Sequence, residues 1–207
     1  LIMQPDIGQS ILILLTWLIL IFISGINLFI FFSFFFILVG STSYLIFFIP
    51  KFEYIKSRIF SFLDPSSGNS YQSEKASEAI IGGGFFGKGV GEGTLNNRIP
   101  EAHTDYIVSV ISEEFGIMIV IAIILIFIFF AFQVIKKISI EKDSKIKLTL
   151  MGLVSLLIIQ TFVHVGVNIR ILPTTGMTLP FLSYGGSSII SNSILAGIIL
   201  NLTKRKV

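Results

Sequence analysis

The sequence contains no cysteine and few charged residues, and each shortage excludes a class of function. Without any cysteine in 207 residues, the chain forms no disulfide, thiolate nucleophile or cysteine-based metal site. Charged residues make up only 13% of the chain, and a net charge of +3 is too small to indicate a nucleic-acid partner. A charged leader is also missing. The start at Leu1-Ile2-Met3 is therefore typical of a partial gene product.

Apolar residues dominate what is present. They form 53% of the chain, 21 of them are phenylalanine, and the mean hydropathy is +0.90, so lipid must be part of the solvent. Long apolar stretches predict five membrane-spanning helices in one all-α, polytopic membrane domain over residues 1–207. The predicted spans are residues 8–24, 26–49, 106–135, 147–170 and 184–203.

A polar segment, 50–105, separates the second and third predicted spans. It is rich in glycine, serine and charge, and loops of this length are usually functional or disordered. Apolar residues recur near helical spacing at its start, between lysine and arginine residues, and predict an amphipathic helix lying on the membrane surface. These apolar residues are Phe52, Ile55, Ile59 and Phe62.

The basic residues predict the orientation in the membrane. Five lysines lie in the 136–147 loop, and Lys204, Arg205 and Lys206 lie in the tail, two spans later. Both segments therefore lie on one side, which the positive-inside bias makes cytoplasmic. The segments 50–105 and 171–183 then face outward. Lys51, Lys56 and Arg58 depart from this rule, because they lie near a span end on the outer side.

Seven glycines crowd residues 82–93 and resemble two nucleotide-binding motifs. Residues 82–87 match GxGxxG, but no βαβ pattern surrounds them. The same stretch nearly forms a P-loop, except that Gly89 stands where serine or threonine would bind magnesium. We therefore predict backbone with positive φ angles or close approach to another surface, instead of nucleotide binding.

The segment 100–105 offers two interpretations. Glu101, His103 and Asp105 could form a titratable cluster at the water–lipid boundary, where shifted pKa values suit acid–base catalysis. Alternatively, Thr104 or Asp105 caps the helix that follows, because both residue types and the helix dipole favour that role. His103 is equally consistent with an interfacial side chain, and the spacing matches no recognised zinc site.

Other polar residues lie inside or beside the predicted spans. Glu113 and Glu114 fall two turns inside the third span, where a proton or cation contact and a role in ordering the bundle are about equally expected. His164 and Asn168 share a helix face and predict a structural hydrogen bond between helices. Arg170 is expected to meet a phosphate or carboxylate, or to extend toward the interface. Asp6 is expected to cap the first helix.

Several motifs together resemble one family. Gln4-Pro5-Asp6-Ile7-Gly8, Arg58, Phe62-Leu63-Asp64-Pro65, Tyr71-Gln72 and the glycine-rich segment follow the order of the SEDS (FtsW/RodA) family. The stretches PEAHTDYIVSVISEEFG at 100–116 and LPTTGMTLPFLSYGGSS at 172–188 are the most specific. Ala102 and the residues 176–180 resemble the FtsW branch more than the RodA branch. The resemblance implies a fragment of a ten-helix bundle, its carboxy-terminal portion, with a large extracytoplasmic loop.

The resemblance also implies a function. Members of this family are peptidoglycan glycosyltransferases that polymerise lipid II in the cytoplasmic (inner) membrane during cell division, with a class B penicillin-binding transpeptidase and other divisome proteins as partners. The family's catalytic aspartate corresponds to Asp105. No cofactor is certain, although a divalent cation such as Mg²⁺ or Mn²⁺ would suit a diphosphate leaving group. A lipid II flippase and a noncatalytic scaffold are the alternatives.

The remaining site residues follow from chemistry beside that aspartate. Thr175 stands where many FtsW-like proteins carry lysine, so another cation is expected to hold the diphosphate. Small and hydroxyl residues at 174–180 and 183–188 either allow close helix packing or form a polar floor for the lipid-linked sugar. The predicted substrate-binding residues are Glu101, His103, Thr104, Lys88, Arg98, Arg170, Ser183 and Ser187.

Overall fold

A computed structural model describes residues 6–63, 71–95, 98–99 and 101–204, and this part of the chain is all-α. Asp6 caps the first helix through a hydrogen bond from Gln9 N to Oδ1 at 3.0 Å, as predicted. Gln4, Pro5, Asp64, Pro65 and Pro100 lie outside the described residues. The helices are α1 (Ile7–Ile23), α2 (Leu28–Phe48), α3 (Glu53–Leu63), α4 (Tyr71–Gly83), α5 (Ile107–Phe115), α6 (Ile117–Ile140), α7 (Ser144–Asn168) and α8 (Gly186–Lys204), with a 3₁₀ turn at Pro50–Phe52.

Four of these helices, α2, α6, α7 and α8, are long and apolar enough to cross a membrane. The shorter apolar helix α1 occupies the first predicted span. A chain with several such helices is a multi-pass membrane protein. α7 is the central element, since α1, α6 and α8 all pack against it. α2 has no buried residue and contacts α1 through a few side chains, such as the edge-to-face pair Trp17–Phe34.

The third predicted span, 106–135, is wrong as a single helix. Gly116 ends α5 with a φ of 86°, and α6 starts at the next residue. A side chain at Gly116 would collide with the backbone of Phe85, which belongs to the glycine-rich segment. Glu113 and Glu114 therefore lie in the short helix α5, before the membrane-length helix α6, and the prediction that they lie inside the span is also wrong.

The polar segment between α2 and α6 is more ordered than a loop. The predicted amphipathic helix is confirmed as α3, although its placement on a membrane surface stays a prediction. α4 follows it and packs against α5. A core of apolar residues joins these two helices to α1 and α7, so that the polar segment folds back on the bundle. Members of this core include Leu12, Ala76, Leu95, Tyr106 and Val163.

Candidate functional site

Asp105 lies at the edge of a cavity of about 130 Å³, here called the Asp105 cavity. Four separate parts of the chain build it: α3, α4, the residues before α5, and the end of α7 with the loop that follows. The lining is mainly polar. It consists of Arg58, Gln72, Glu101, Asp105, Tyr106, Val167, Thr174, Thr175, Gly176 and Met177.

The backbone that carries Asp105 is held firmly in place. Three consecutive carbonyl oxygens accept hydrogen bonds from three different partners. The pairs are Tyr184 N to His103 O at 3.0 Å, Ser183 Oγ to Thr104 O at 2.7 Å, and Asn168 Nδ2 to Asp105 O at 3.0 Å. Because the carbonyls are fixed while the carboxyl stays in the cavity, this arrangement suits a preorganised catalytic group.

The surroundings of Asp105 favour its protonated form. Burial raises the pKa of the Asp105 carboxyl above its ordinary value, and the Glu101 carboxylate raises it further. The Arg58 guanidinium opposes both effects and lowers the pKa. A carboxylate whose proton affinity is increased accepts a proton more readily, as a general base requires.

Arg58 is the cation of this cavity, and sequence reasoning did not select it as a site residue. It lies on α3, and its Nη1 donates to the Thr174 carbonyl oxygen at 3.1 Å. Gln72 lies beside it and donates from Nε2 to Glu101 Oε2 at 2.9 Å. Two sequence signals pointed to Arg58, namely its departure from the positive-inside rule and its place among the motifs that resemble the family. Gln72 and Tyr106 belong to the motifs that carry the family resemblance, but neither was selected as a site residue. Burial raises the pKa of the Tyr106 hydroxyl to about 12.

A second, larger cavity of about 260 Å³ shares Arg58, Gln72 and Thr174 with the first, and we call it the arginine cavity. Arg170 is its second cation. Hydroxyl groups from α3 and α4 complete a lining suited to an anion, because guanidinium groups bind phosphate through paired hydrogen bonds. The lining residues are Ser57, Arg58, Ser61, Phe62, Gln72, Ser73, Arg170, Leu172, Pro173 and Thr174.

The backbone of Arg170 is strained. Its φ is 58°, in the left-handed region that a residue with a Cβ rarely adopts. An L-residue there costs roughly 1–2 kcal/mol relative to the right-handed conformation. Glycine would avoid this cost, so the arginine at this position is a candidate for a role that depends on its side chain.

The predicted site residues do not all meet. Glu101 and Asp105 share the Asp105 cavity, and Arg170 lines the arginine cavity. His103 is exposed and lines neither cavity, so it does not join Glu101 and Asp105 in the predicted titratable cluster. The Ser183 hydroxyl accepts from Leu179 N at 2.7 Å and donates to Thr104 O, and is thus committed to the backbone. Exposed Ser187 and exposed Arg98 also line neither cavity.

Lys88 has a structural partner away from both cavities. Its Nζ lies 2.7 Å from Oε1 of Glu113, whose side chain is only 2% exposed. Glu113 also accepts from Thr94 N at 3.1 Å and from Leu95 N at 3.0 Å. Burial would raise the pKa of the Glu113 carboxyl, but these hydrogen bonds outweigh it and lower that pKa to about 2. Glu113 therefore has both a cation contact and a role in ordering the fold.

The positive φ angles and the close approach predicted for the glycine-rich segment are confirmed. Gly87 has a φ of 78°, and a Cβ there would collide with the backbone of Glu114. The segment pairs with the end of α5 through Lys88 N to Glu113 O at 2.9 Å and Gly89 N to Glu114 O at 3.0 Å. Its glycines thus permit backbone contact with α5, which is their structural role.

The capping alternative is wrong. The N-cap of α5 is Tyr106, which makes no capping hydrogen bond with its side chain. Neither Thr104 nor Asp105 occupies the N-cap position, so the Asp105 carboxylate is not used to cap the helix. The interhelix hydrogen bond predicted for Asn168 is confirmed, because its side chain bonds to Ser109 on α5. The same prediction is wrong for His164, whose Nδ1 lies 2.6 Å from the carbonyl oxygen of Met177 in the loop between α7 and α8.

Comparisons with known proteins agree with one another. The family model FTSW_RODA_SPOVE, described as a cell cycle protein, matches residues 1–207. A protein of Caulobacter vibrioides named "Probable peptidoglycan glycosyltransferase FtsW" is 33% identical over 100% of this chain and 52% of its own length. A protein of Buchnera aphidicola with the same name is 38% identical over 98% of this chain and 54% of its own.

A solved structure also resembles the chain. It is described as "Structural coordination of polymerization and crosslinking by a peptidoglycan synthase complex", with a TM-score of 0.73 and 25% identity. The match covers 98% of this chain and 56% of the other. The chain thus spans about half the length of the curated relatives and of the solved chain that it matches.

Proposed function

Because the chain belongs to the FtsW, RodA and SpoVE family of cell cycle proteins, we propose that the whole protein is a peptidoglycan glycosyltransferase. It polymerises lipid II into glycan strands during cell division. The observation that supports this most directly is the half-buried Asp105 carboxyl, which lines a polar cavity beside Arg58 and has a raised pKa. Relatives with the name peptidoglycan glycosyltransferase support the same activity.

In this proposal Asp105 is the general base. It removes the proton from the acceptor sugar's 4-hydroxyl while that oxygen bonds to the anomeric carbon of the donor. The bond from the anomeric carbon to the diphosphate oxygen breaks, and the lipid diphosphate leaves with the electron pair. Attack opposite the leaving group inverts the anomeric centre. Since the diphosphate leaves without protonation, a single carboxylate suffices, whereas glycosidases need two.

The two arginines hold the leaving group. Negative charge collects on the diphosphate in the transition state, and fixed cations stabilise it there. Arg58 lines both cavities, so it lies between the base and the place where we expect the diphosphate. Arg170, which lies after the end of α7 and far from Arg58 in the sequence, also lines the arginine cavity. Together they take the role expected of the family's lysine, which is Thr175 in this chain.

A divalent cation such as Mg²⁺ or Mn²⁺, when bound, would neutralise part of the diphosphate charge. Within the described residues, no three His, Asp or Glu side chains are grouped to hold a metal ion. Magnesium, however, usually takes one or two carboxylates together with substrate phosphates. Glu101 fits that mode, because its carboxylate lines the cavity beside Asp105 and is exposed.

The proposal includes a location and a partner. The cavities face outward from the cytoplasmic (inner) membrane, because the lysine-rich 136–147 loop and the end of α8 favour the cytoplasmic side. A class B penicillin-binding transpeptidase then crosslinks the strands, in keeping with the polymerising and crosslinking complex that the similar structure represents. Other divisome proteins would join this pair.

The test is polymerisation by the purified full-length protein bound to its transpeptidase partner, with the transpeptidase site blocked. We expect lipid II to yield long glycan strands and an equivalent amount of free lipid diphosphate. Vesicles that contain labelled lipid II in one leaflet provide the matching transport assay. Movement of lipid II between leaflets without strand formation would support a flippase. The absence of both strand formation and movement would support a scaffold. Either outcome would overturn the proposal.

A further inference from the structure

α5 begins just after Asp105, although the local sequence would favour an earlier start. Its N-cap is Tyr106, whose carbonyl accepts the first helical hydrogen bond, from Val110 N at 3.1 Å. Tyrosine is not among the favoured N-cap residues, whereas aspartate is one of the best. A helix that started one residue earlier would have Asp105 as its N-cap. Something outside the helix must therefore set its start.

The Asn168 amide lies where the next helical hydrogen bond would form. In the longer helix, Ser109 N would donate directly to Asp105 O, four residues earlier. Instead, Ser109 N donates to Asn168 Oδ1 at 3.1 Å, and Asn168 Nδ2 donates to Asp105 O at 3.0 Å. The amide from α7 thus bridges the two backbone groups and keeps them apart.

This amide is fully buried and fully bonded. Asn168 has 0% exposure, and two further hydrogen bonds join it to Ser109 Oγ and to His164 O, both at 2.8 Å. Its oxygen accepts two bonds and its nitrogen donates two, which is the whole capacity of the group. The reversed amide would point its nitrogen at the Ser109 N–H and its oxygen at two carbonyls, so the partners fix its orientation.

We propose that Asn168 is a positioning residue, which separates Asp105 from helix α5 and thereby keeps the Asp105 carboxylate in its cavity. The inference rests on the proposed function, in which Asp105 is the general base. Without the amide, Ser109 N and Asp105 O would bond to each other, and Asp105 would become the N-cap. Its carboxylate would then accept from the N–H of Ile107 or Val108 and leave the substrate side of the cavity.

The groups facing the Asp105 carboxylate predict a change in pH dependence. Its titratable and charged neighbours are Glu101 and Tyr106 on its own segment and Arg58 on α3; Gln72 on α4 and the 174–177 residues lining the cavity carry no charge. Hydrogen bonds from helix N–H groups would favour the charged form. The capping geometry would therefore lower the pKa of Asp105 and move the acid limb of the pH profile of kcat to lower pH.

The test compares Asn168→Ala with wild type in the full-length protein and its partner, using kcat and KM for lipid II over a range of pH. We expect kcat to fall at least about tenfold, because small displacements of a catalytic group are costly. KM should stay within about twofold, and the acid limb should move to lower pH. A variant that merely lost folded protein would lower kcat equally at every pH, and that result would overturn the proposal.

Two further variants sharpen the comparison. Asn168→Asp has the same shape and keeps the acceptor for Ser109, but it lacks the amide protons that reach Asp105 O. We expect a lower kcat without a shift of the acid limb to lower pH, and a wild-type kcat would overturn the proposal even if Asn168→Ala did not fold. Asn192→Ala is the matched control and should leave kcat unchanged, because within the part of the chain that the structure describes this buried amide bonds to Ser188 of its own helix and to no other residue.

Failure of this inference is distinguishable from failure of the proposed function. If Asp105→Asn is inactive while Asn168→Ala keeps the wild-type kcat and pH profile, Asp105 remains the base and Asn168 has no positioning role. If Asp105→Asn polymerises normally, the assignment of the base is wrong, whatever the Asn168 variants do.

Discussion

Replacing Arg170 by glycine should separate the role of its side chain from the stability of the fold. Arg170 has a φ of 58°, which costs an L-residue roughly 1–2 kcal/mol. Glycine removes that cost but loses about 0.5–1 kcal/mol through the greater freedom of the unfolded chain. The free energy of unfolding of Arg170→Gly should therefore stay the same or rise by up to about 1.5 kcal/mol.

The same substitution should damage catalysis. Arg170 supplies one of the two cations of the arginine cavity, where we expect the diphosphate to bind. Loss of one fixed group that stabilises transition-state charge typically reduces the rate on the order of 10²-fold. The kinetic quantity to measure is kcat/KM for lipid II, since it reports transition-state stabilisation relative to free enzyme and substrate.

The assay pairs thermal unfolding of the purified full-length protein with glycan polymerisation. Arg170→Lys is the companion variant: it keeps a charge and the strained backbone, but it cannot bind a phosphate through two hydrogen bonds, so its activity should lie between those of wild type and Arg170→Gly. A wild-type kcat/KM in Arg170→Gly would show that the side chain only extends toward the interface. A clearly lower unfolding temperature would refute the strain reasoning.

Three further predictions follow from the site. Arg58→Gln should reduce kcat/KM on the order of 10²-fold. Arg98→Gln is the control and should not reduce it, because Arg98 is exposed and its Nη1 lies 3.8 Å from Glu78 Oε2. Equal effects of the two variants would contradict the assignment of Arg58 to the cavity. Gly176→Ala should lower the free energy of unfolding by about 1–2 kcal/mol, since φ is 73°; the new Cβ itself would make only an ordinary contact, 3.7 Å from Asp105 Oδ2. Gly197→Ala, inside α8 with open space around it, is its control and should raise the free energy of unfolding by roughly 0.5–1 kcal/mol. Finally, an impermeant thiol reagent on intact cells should label Glu92→Cys but not Ser144→Cys, and the reverse pattern would invert the topology.

Local sequence patterns predicted the features that depend on a single stretch of chain. The length of the apolar stretches predicted the long helices, and the spacing of Phe52, Ile55 and Ile59 predicted α3. Both features depend on the order of residues within one helix. Asp6 was recognisable as an N-cap for the same reason. The motif around Asp105, whose residues are consecutive, pointed to a residue that lines a polar cavity, and its catalytic role stays a prediction.

The features that were missed depend on contacts between distant segments. Helix-compatible residues lie on both sides of Gly116, and the contact with Phe85 shows why the helix breaks there. Arg58 reaches the Asp105 cavity from 47 residues earlier in the chain, a distance that no local motif spans. The start of α5 was misassigned because Asn168, and not a neighbouring residue, determines it.

Asp105→Asn in the full-length protein tests the central claim most directly. Asparagine has nearly the same shape and caps helices as well as aspartate does, but it cannot accept a proton as a base. The measurement is the initial rate of glycan strand formation from purified lipid II, with the partner bound and its transpeptidase site blocked. We expect the rate to fall by about 10²–10⁴-fold while membrane insertion and partner binding persist. A rate close to that of wild type would show that Asp105 is not the base.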